Sequence, residues 1–146
     1  NQRGFRACIF RLSTVYAPAT DGNVSNFVGH YVDAINKGEP LALPAKGLPK
    51  RDLLHVDDLA TACQAFADSI IRHGLYNLGG GLRNALTLRE TVAKLEEVSG
   101  YQAIIDEEAS IPAPAPMNYV TDLNLVTQEL DWSPKISLDA GLKTLF

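Results

Sequence analysis

Apolar and polar positions along the chain alternate between two periods, and the change from one to the other marks the expected elements. Phe5 to Leu12 is a short apolar run of β-formers, bounded by Gly4 and by Ser13-Thr14, and it predicts a buried strand. From Val24 to Asn36 the apolar residues Val24, Phe27, Val28, Tyr31, Val32 and Ile35 recur at helical spacing, and Gly38 stops the run. Leu41–Leu43 and Leu53–Val56 predict brief strands, and Asp57 is the expected N-cap of a helix reaching about Ile71. Its apolar face is Leu59, Ala62, Cys63, Phe66 and Ile70.

Further along, Leu75–Leu78 predicts a strand that stops at Gly79-Gly80-Gly81. Thr87-Leu88-Arg89-Glu90 has the form of a capping box and opens an amphipathic helix ending at Gly100. Ala103–Ile105 reads as a strand, and Ile111–Pro116, with proline at every second position, as extended surface loop. A short helix is expected from Asp122 to Leu130, and Ser137 is placed to cap a last one. Strands alternate with helices, without internal repeats or a low-complexity linker, which predicts one α/β domain over residues 1–146.

Composition narrows the function classes. A formal charge of −4 argues against a nucleic-acid partner, which calls for a basic face. No apolar run approaches the roughly 20 residues of a membrane span. The two cysteines, Cys8 and Cys63, form no disulfide or metal pattern, so buried free thiols and a cytoplasmic setting are expected. Asn1-Gln2-Arg3-Gly4 resembles neither an initiator segment nor a signal peptide, and reads as a chain cut into.

Four segments in order carry a resemblance. They are Arg11–Pro18, Arg51–Ala60 (Arg-Asp-Leu-Leu-His-Val-Asp-Asp-Leu-Ala), Tyr76–Gly81, and Leu130–Pro134 together with Leu138–Leu142. Their register resembles the carboxy-terminal half of extended short-chain dehydrogenase/reductases, the NAD-dependent sugar-nucleotide epimerases and dehydratases. The triple glycine, Asn84 and Leu86-Thr87-Leu88 are similar to CDP-tyvelose 2-epimerases. The resemblance implies an α/β fold with a partial Rossmann-like sheet, its last strands, plus the small α/β substrate-binding region of that family.

It also implies site residues. Arg51 takes the position of an arginine that grips a nucleotide sugar's pyrophosphate, chemistry a planar guanidinium fork suits; the alternative is an ion pair with Asp52, Asp57 or Asp58. Thr14, Val24 and Phe27 match substrate contacts, with a strand end and plain core as alternatives. Val15 and Tyr16 fall beside the expected NAD(P), whose main site would lie outside this chain. His55 and Asp57 are expected to be structural, and the triple glycine, lacking P-loop chemistry, a strand terminator.

The 146 residues contain no Gly-x-x-Gly-x-x-Gly and no Tyr-x-x-x-Lys. The resemblance therefore implies no catalytic residue here, and no activity without an amino-terminal NAD-binding half. Where relatives carry an Arg and an Asp before the helix expected at Asp122, this chain has the uncharged Ile111–Pro116, and Lys46, Leu48 and Pro49 replace an Asp-Gly-Lys-like turn. Two functions stay open: the substrate-side half of a nucleotide-sugar epimerase/dehydratase, or a non-catalytic ligand-binding or protein-interaction domain. In both, the resemblance implies that the strand Phe5–Leu12 keeps an unpaired apolar edge, which predicts homo-oligomerisation or a partner chain.

Overall fold

The centre of the fold is the strand Lys50–His55, in which Leu53 and Leu54 are both fully buried. Successive strand residues point to opposite faces, so two adjacent buried leucines require a core on each side. Both cores are present in the computed structural model, which describes residues 4–18 and 26–146. Leu53 joins a core with Tyr16, Tyr31, Ile35, Leu88, Leu95 and Leu142, and Leu54 a second with Tyr76, Leu78, Val126, Leu130 and Trp132.

In chain order the elements are β1 (Ala7–Leu12), β2 (Thr14–Tyr16), α1 (Phe27–Lys37), β3 (Pro40–Leu41), β4 (Lys50–His55), α2 (Val56–Asp68) and β5 (His73–Leu78). There follow β6 (Ala85–Thr87), α3 (Leu88–Ser99), β7 (Ile104–Ile105), β8 (Asn118–Tyr119), α4 (Asn124–Leu130) and α5 (Leu138–Lys143). β1 pairs in parallel with β5, from Ala7 opposite His73 to Leu12 opposite Leu78. β4 carries β2 in parallel at Leu53–His55, β8 in parallel at Lys50–Arg51, and β6 antiparallel at Lys50–Asp52. β3 and β7 form a small parallel pair.

Several expectations hold in detail. Thr87 and Glu90 form a reciprocal capping box on α3, Ser137 caps α5, and Gly38 and Gly100 end α1 and α3 in the left-handed region. Other expectations need correction. The first strand is not buried: Phe5, Ile9 and Leu12 are 78, 62 and 47% exposed, because β1 has only β5 beside it among the described residues. Only Cys8 and Phe10 turn inward, against the second core. Cys63 is exposed and Cys8 only half-buried, contrary to the expected pair of buried thiols.

Asp57 does not cap α2. His55 does, its Nδ1 accepting the Asp57 amide proton at 3.2 Å, and Asp57 lies with Asp58 in the first turn, where the helix dipole favours anions. α2 also ends at Asp68 rather than Ile71, since Ser69 is extended. The Arg6 guanidinium closes that end, donating to the carbonyls of Phe66, Ala67, Ser69 and Ile71 at 2.6–3.0 Å. The expected strand at Leu41–Leu43 is shorter and earlier, and the helix expected from Asp122 begins at Asn124 with Asp122 accepting its amide proton. The helix start expected at Val24 lies outside the described residues.

Candidate functional site

Pairing register decides which expected site residues can meet. Thr14 lies opposite Leu53 and Tyr16 opposite His55, so Thr14 and Tyr16 share the face of β4 that carries Arg51, Leu53 and His55. Val15 and Asp52 belong to the other face. Phe27, the first residue of α1, packs on the core that Leu53 joins and meets the Tyr31 ring edge-on at 5.4 Å. Arg51, Thr14 and Phe27 thus fall on one side of the sheet and Val15 on the other. Val24 lies outside the described residues.

Arg51 makes no ion pair with Asp52, Asp57 or Asp58. Its Nη1 donates to the carbonyls of Lys50 at 2.6 Å and Met117 at 2.9 Å, and its Nη2 to that of Pro116 at 2.9 Å. The three aspartates are occupied otherwise. Asp58 accepts the amide protons of Lys135 and Ile136 at 2.9 and 3.0 Å, which ties the start of α2 to the approach to α5. Asp57 is exposed. Asp52 is fully buried, with Oδ2 accepting the Gly81 amide proton at 3.0 Å. Among the described residues no carboxylate lies within ion-pair distance of Arg51.

The glycine turn that ends β5 is packed from both sides. A Cβ on Gly79 would collide with the Asp52 carboxylate, Thr121 Oγ1 and Ser13 Oγ, and one on Gly80 with the Leu53 carbonyl and the Asn84 side chain. Gly81 has φ +65, a conformation that suits glycine. A dinucleotide's phosphates need amide groups facing open space, so this turn does not fit the cofactor. Its requirement for glycine comes from the buried Asp52, from Thr121 and Ser13 beside Gly79, and from the Leu53 carbonyl and Asn84 beside Gly80. Asp52 Oδ1 and Thr121 Oγ1 have no hydrogen-bond partner among the described residues. Sequence reasoning missed this arrangement, although an aspartate directly before two buried leucines was a signal for a polar group with a fixed partner.

Tyr16 and His55 make a second buried contact, ring edge to face at 5.3 Å. Gly141 lets α5 approach here, where a Cβ would strike the Tyr16 hydroxyl. Burial first, then the nearby Asp58 charge, pushes the Tyr16 hydroxyl far above the ordinary tyrosine value. A hydroxyl so shifted is a poor proton carrier near neutral pH. His55 Nε2 lies 3.5 Å from Thr144 Oγ1. An opening of about 460 Å³ lies between Ala45-Lys46 and Glu107–Ile111, and its lining shares no residue with the Arg51 surroundings. Among the described residues no group of His, Cys, Asp and Glu could hold a metal.

Parallel strands joined through helices, around a central strand buried on both faces, define a Rossmann-like α/β fold. A model of the NAD dependent epimerase/dehydratase family matches residues 1–79, and the chain belongs to that family. It is 31% identical over 112 residues to GDP-L-fucose synthase 1 of Arabidopsis thaliana, covering 77% of this chain and 33% of that protein. It is 29% identical to CDP-paratose 2-epimerase of Salmonella typhi, covering 98% of this chain and 44% of the relative. UDP-glucose 4-epimerase of Thermotoga maritima superposes with TM-score 0.80 at 24% identity, over 98% of this chain and 45% of that one. The UDP-glucuronic acid 4-epimerase of Bacillus cereus, solved with UDP-glucuronic acid and NAD, gives 0.79 at 24%, over 93% and 42%. These two likenesses are of fold. The chain spans less than half the length of each of these relatives.

Proposed function

We propose that this chain is the nucleotide-sugar-binding half of an NAD-dependent epimerase/dehydratase, in which Arg51 grips the substrate's diphosphate. The observation that carries this is the state of the guanidinium. It stands half-buried at the start of the central strand and, among the described residues, donates only to backbone carbonyls and has no carboxylate to neutralise it. A diphosphate supplies the missing negative charge, and a bidentate guanidinium–phosphate contact is among the stronger polar interactions. Thr14 and Phe27 flank the same face, the first with a hydroxyl for a sugar, the second with a ring for apolar packing. Val24 belongs to the same proposed set by sequence.

The whole reaction needs groups these residues do not supply. The family is NAD-dependent, but the glycine turn does not accommodate a cofactor's phosphates and the Tyr16 hydroxyl is buried. Val15 and Tyr16 are assigned to the cofactor through the family resemblance alone, and they lie on opposite faces of β2. The chemistry of hydride exchange with bound NAD(P) would rest on residues outside this sequence, so the isolated chain is expected to bind without turnover. The exposed apolar edge of β1 supports association, either with a second copy or with a polypeptide carrying the cofactor half. The lack of cysteine pairing fits a cytoplasmic setting.

Calorimetric titration with CDP-, UDP- and GDP-sugars tests the reading. Saturable binding to one of them, lost in Arg51→Ala, is expected. Absence of binding to all three would favour a protein-interaction domain, a reading that the uncharged Ile111–Pro116 segment also suits.

A further inference from the structure

The segment between the 460 Å³ opening and β8 is held to the protein in an unusual way. Residues 111–120 are all exposed. At one end the Ile111 carbonyl accepts from the Ala45 amide at 2.7 Å, and at the other Asn118 Oδ1 accepts from the Lys50 amide at 3.1 Å and β8 begins. Between them, the hydrogen bonds among the described residues that fasten the segment are those from Arg51 to the Pro116 and Met117 carbonyls. Prolines at 112, 114 and 116 stiffen the span, since each fixes its own φ and restricts the residue before it.

The guanidinium is held as firmly as the segment. Nη1 uses both its N–H groups, on Lys50 and Met117, and Nη2 uses one, on Pro116. Among the described residues Nε–H and the second Nη2–H have no acceptor, and these are neighbouring donors of one fork, the geometry that meets two oxygens of a phosphate. We propose that the Pro112–Met117 strap is the positioning element for Arg51, holding the guanidinium by one set of donors and presenting the other to a diphosphate. The inference rests on Arg51 being the anion-binding group. It adds that strap and anion occupy different donors, so they bind together rather than compete. Coupling is reciprocal: an ordered strap raises anion affinity, and the bound anion keeps the strap ordered.

The test uses the whole chain with inorganic pyrophosphate as the probe. Backbone order parameters of Ala113, Ala115 and Met117, from amide nitrogen relaxation, are expected near the rigid value of about 0.85. In Arg51→Lys, which keeps the charge but not the planar fork, they should fall below about 0.6 without any ligand present. Pyrophosphate added to the unsubstituted chain should leave them high. The double variant Pro112→Gly, Pro114→Gly loosens the strap without changing the Arg51 side chain itself, and it should weaken pyrophosphate binding by about fivefold or more. Order parameters indifferent to Arg51→Lys, a fall on adding pyrophosphate, or unchanged affinity in the glycine variant would each overturn the inference. Because the Arg51→Lys readout needs no ligand, a strap that responds while pyrophosphate does not bind would count against the anion site itself.

Discussion

Asp52 and Arg51 are adjacent in sequence and opposite in fate. Side chains alternate along β4, so Arg51 reaches the exposed strap while Asp52 is buried under the glycine turn. Asp52→Ala removes the acceptor of the Gly81 amide and leaves that donor buried, a change worth about 1–3 kcal/mol. The urea midpoint should fall accordingly, and an unchanged midpoint would mean the turn is held by something else. Gly79→Ala should cost a similar amount, about 1–3 kcal/mol, because its methyl has nowhere to go. The opposite sign is expected in the tight turn Pro44–Gly47, where Ala45 and Lys46 hold φ of 44 and 55. Ala45→Gly relieves a left-handed alanine, a strain of about 1–2 kcal/mol, set against the entropy glycine loses on folding. A net gain in thermal midpoint is the expected outcome.

At the scale of elements, the protein is joined by polar links between helices and strands, and one of them is sensitive to pH. The Tyr76 hydroxyl in β5 donates to Glu129 Oε2 of α4 at 2.6 Å. Burial, and then that carboxylate, push its pKa up to about 12. Burial takes Tyr31 to about 12 as well. In the unfolded chain tyrosine ionises near 10. The folded state therefore holds the proton over a window in which the unfolded state has released it, and stability falls as pH rises from about 10 to about 12. Below the window the contribution is fully present. Urea midpoints across that range should decline, and Tyr76→Phe should flatten the slope.

The same scale shows what was legible in the sequence. The capping box at Thr87 and the glycine stops at Gly38 and Gly100 could be read because their chemistry is local. The cap of α2 could not, because His55 competes with Asp57 through a ring nitrogen that residue type does not flag. β6 and β8 were missed since each is very short and exists only by pairing with β4. Burial of the first strand is not legible, because an apolar run reports what a strand can pack against, and here β1 lacks a neighbour on one edge among the described residues. Of the proposed site, the family resemblance singles out Arg51, but its partners in the structure are not legible: they are backbone carbonyls, which leave no trace in composition.

For the whole molecule, two exposures stand out. β1 and β5 form a two-stranded sheet with Ile9, Leu12 and Leu75 about half exposed or more, and such an edge is a template for another strand. Sedimentation across a concentration series should show association. Leu12→Lys, placing charge on that edge, should shift it toward monomer, whereas a monomer at every concentration would contradict the account. The second is only partial, the half-buried Arg51 guanidinium, and the account of function depends on it. The most direct measurement is titration of the chain and of its Arg51→Ala variant with CDP-, UDP- and GDP-sugars. The account predicts saturable binding to at least one nucleotide sugar, abolished by the substitution. Binding that survives in Arg51→Ala, or no binding to any of them, would contradict it.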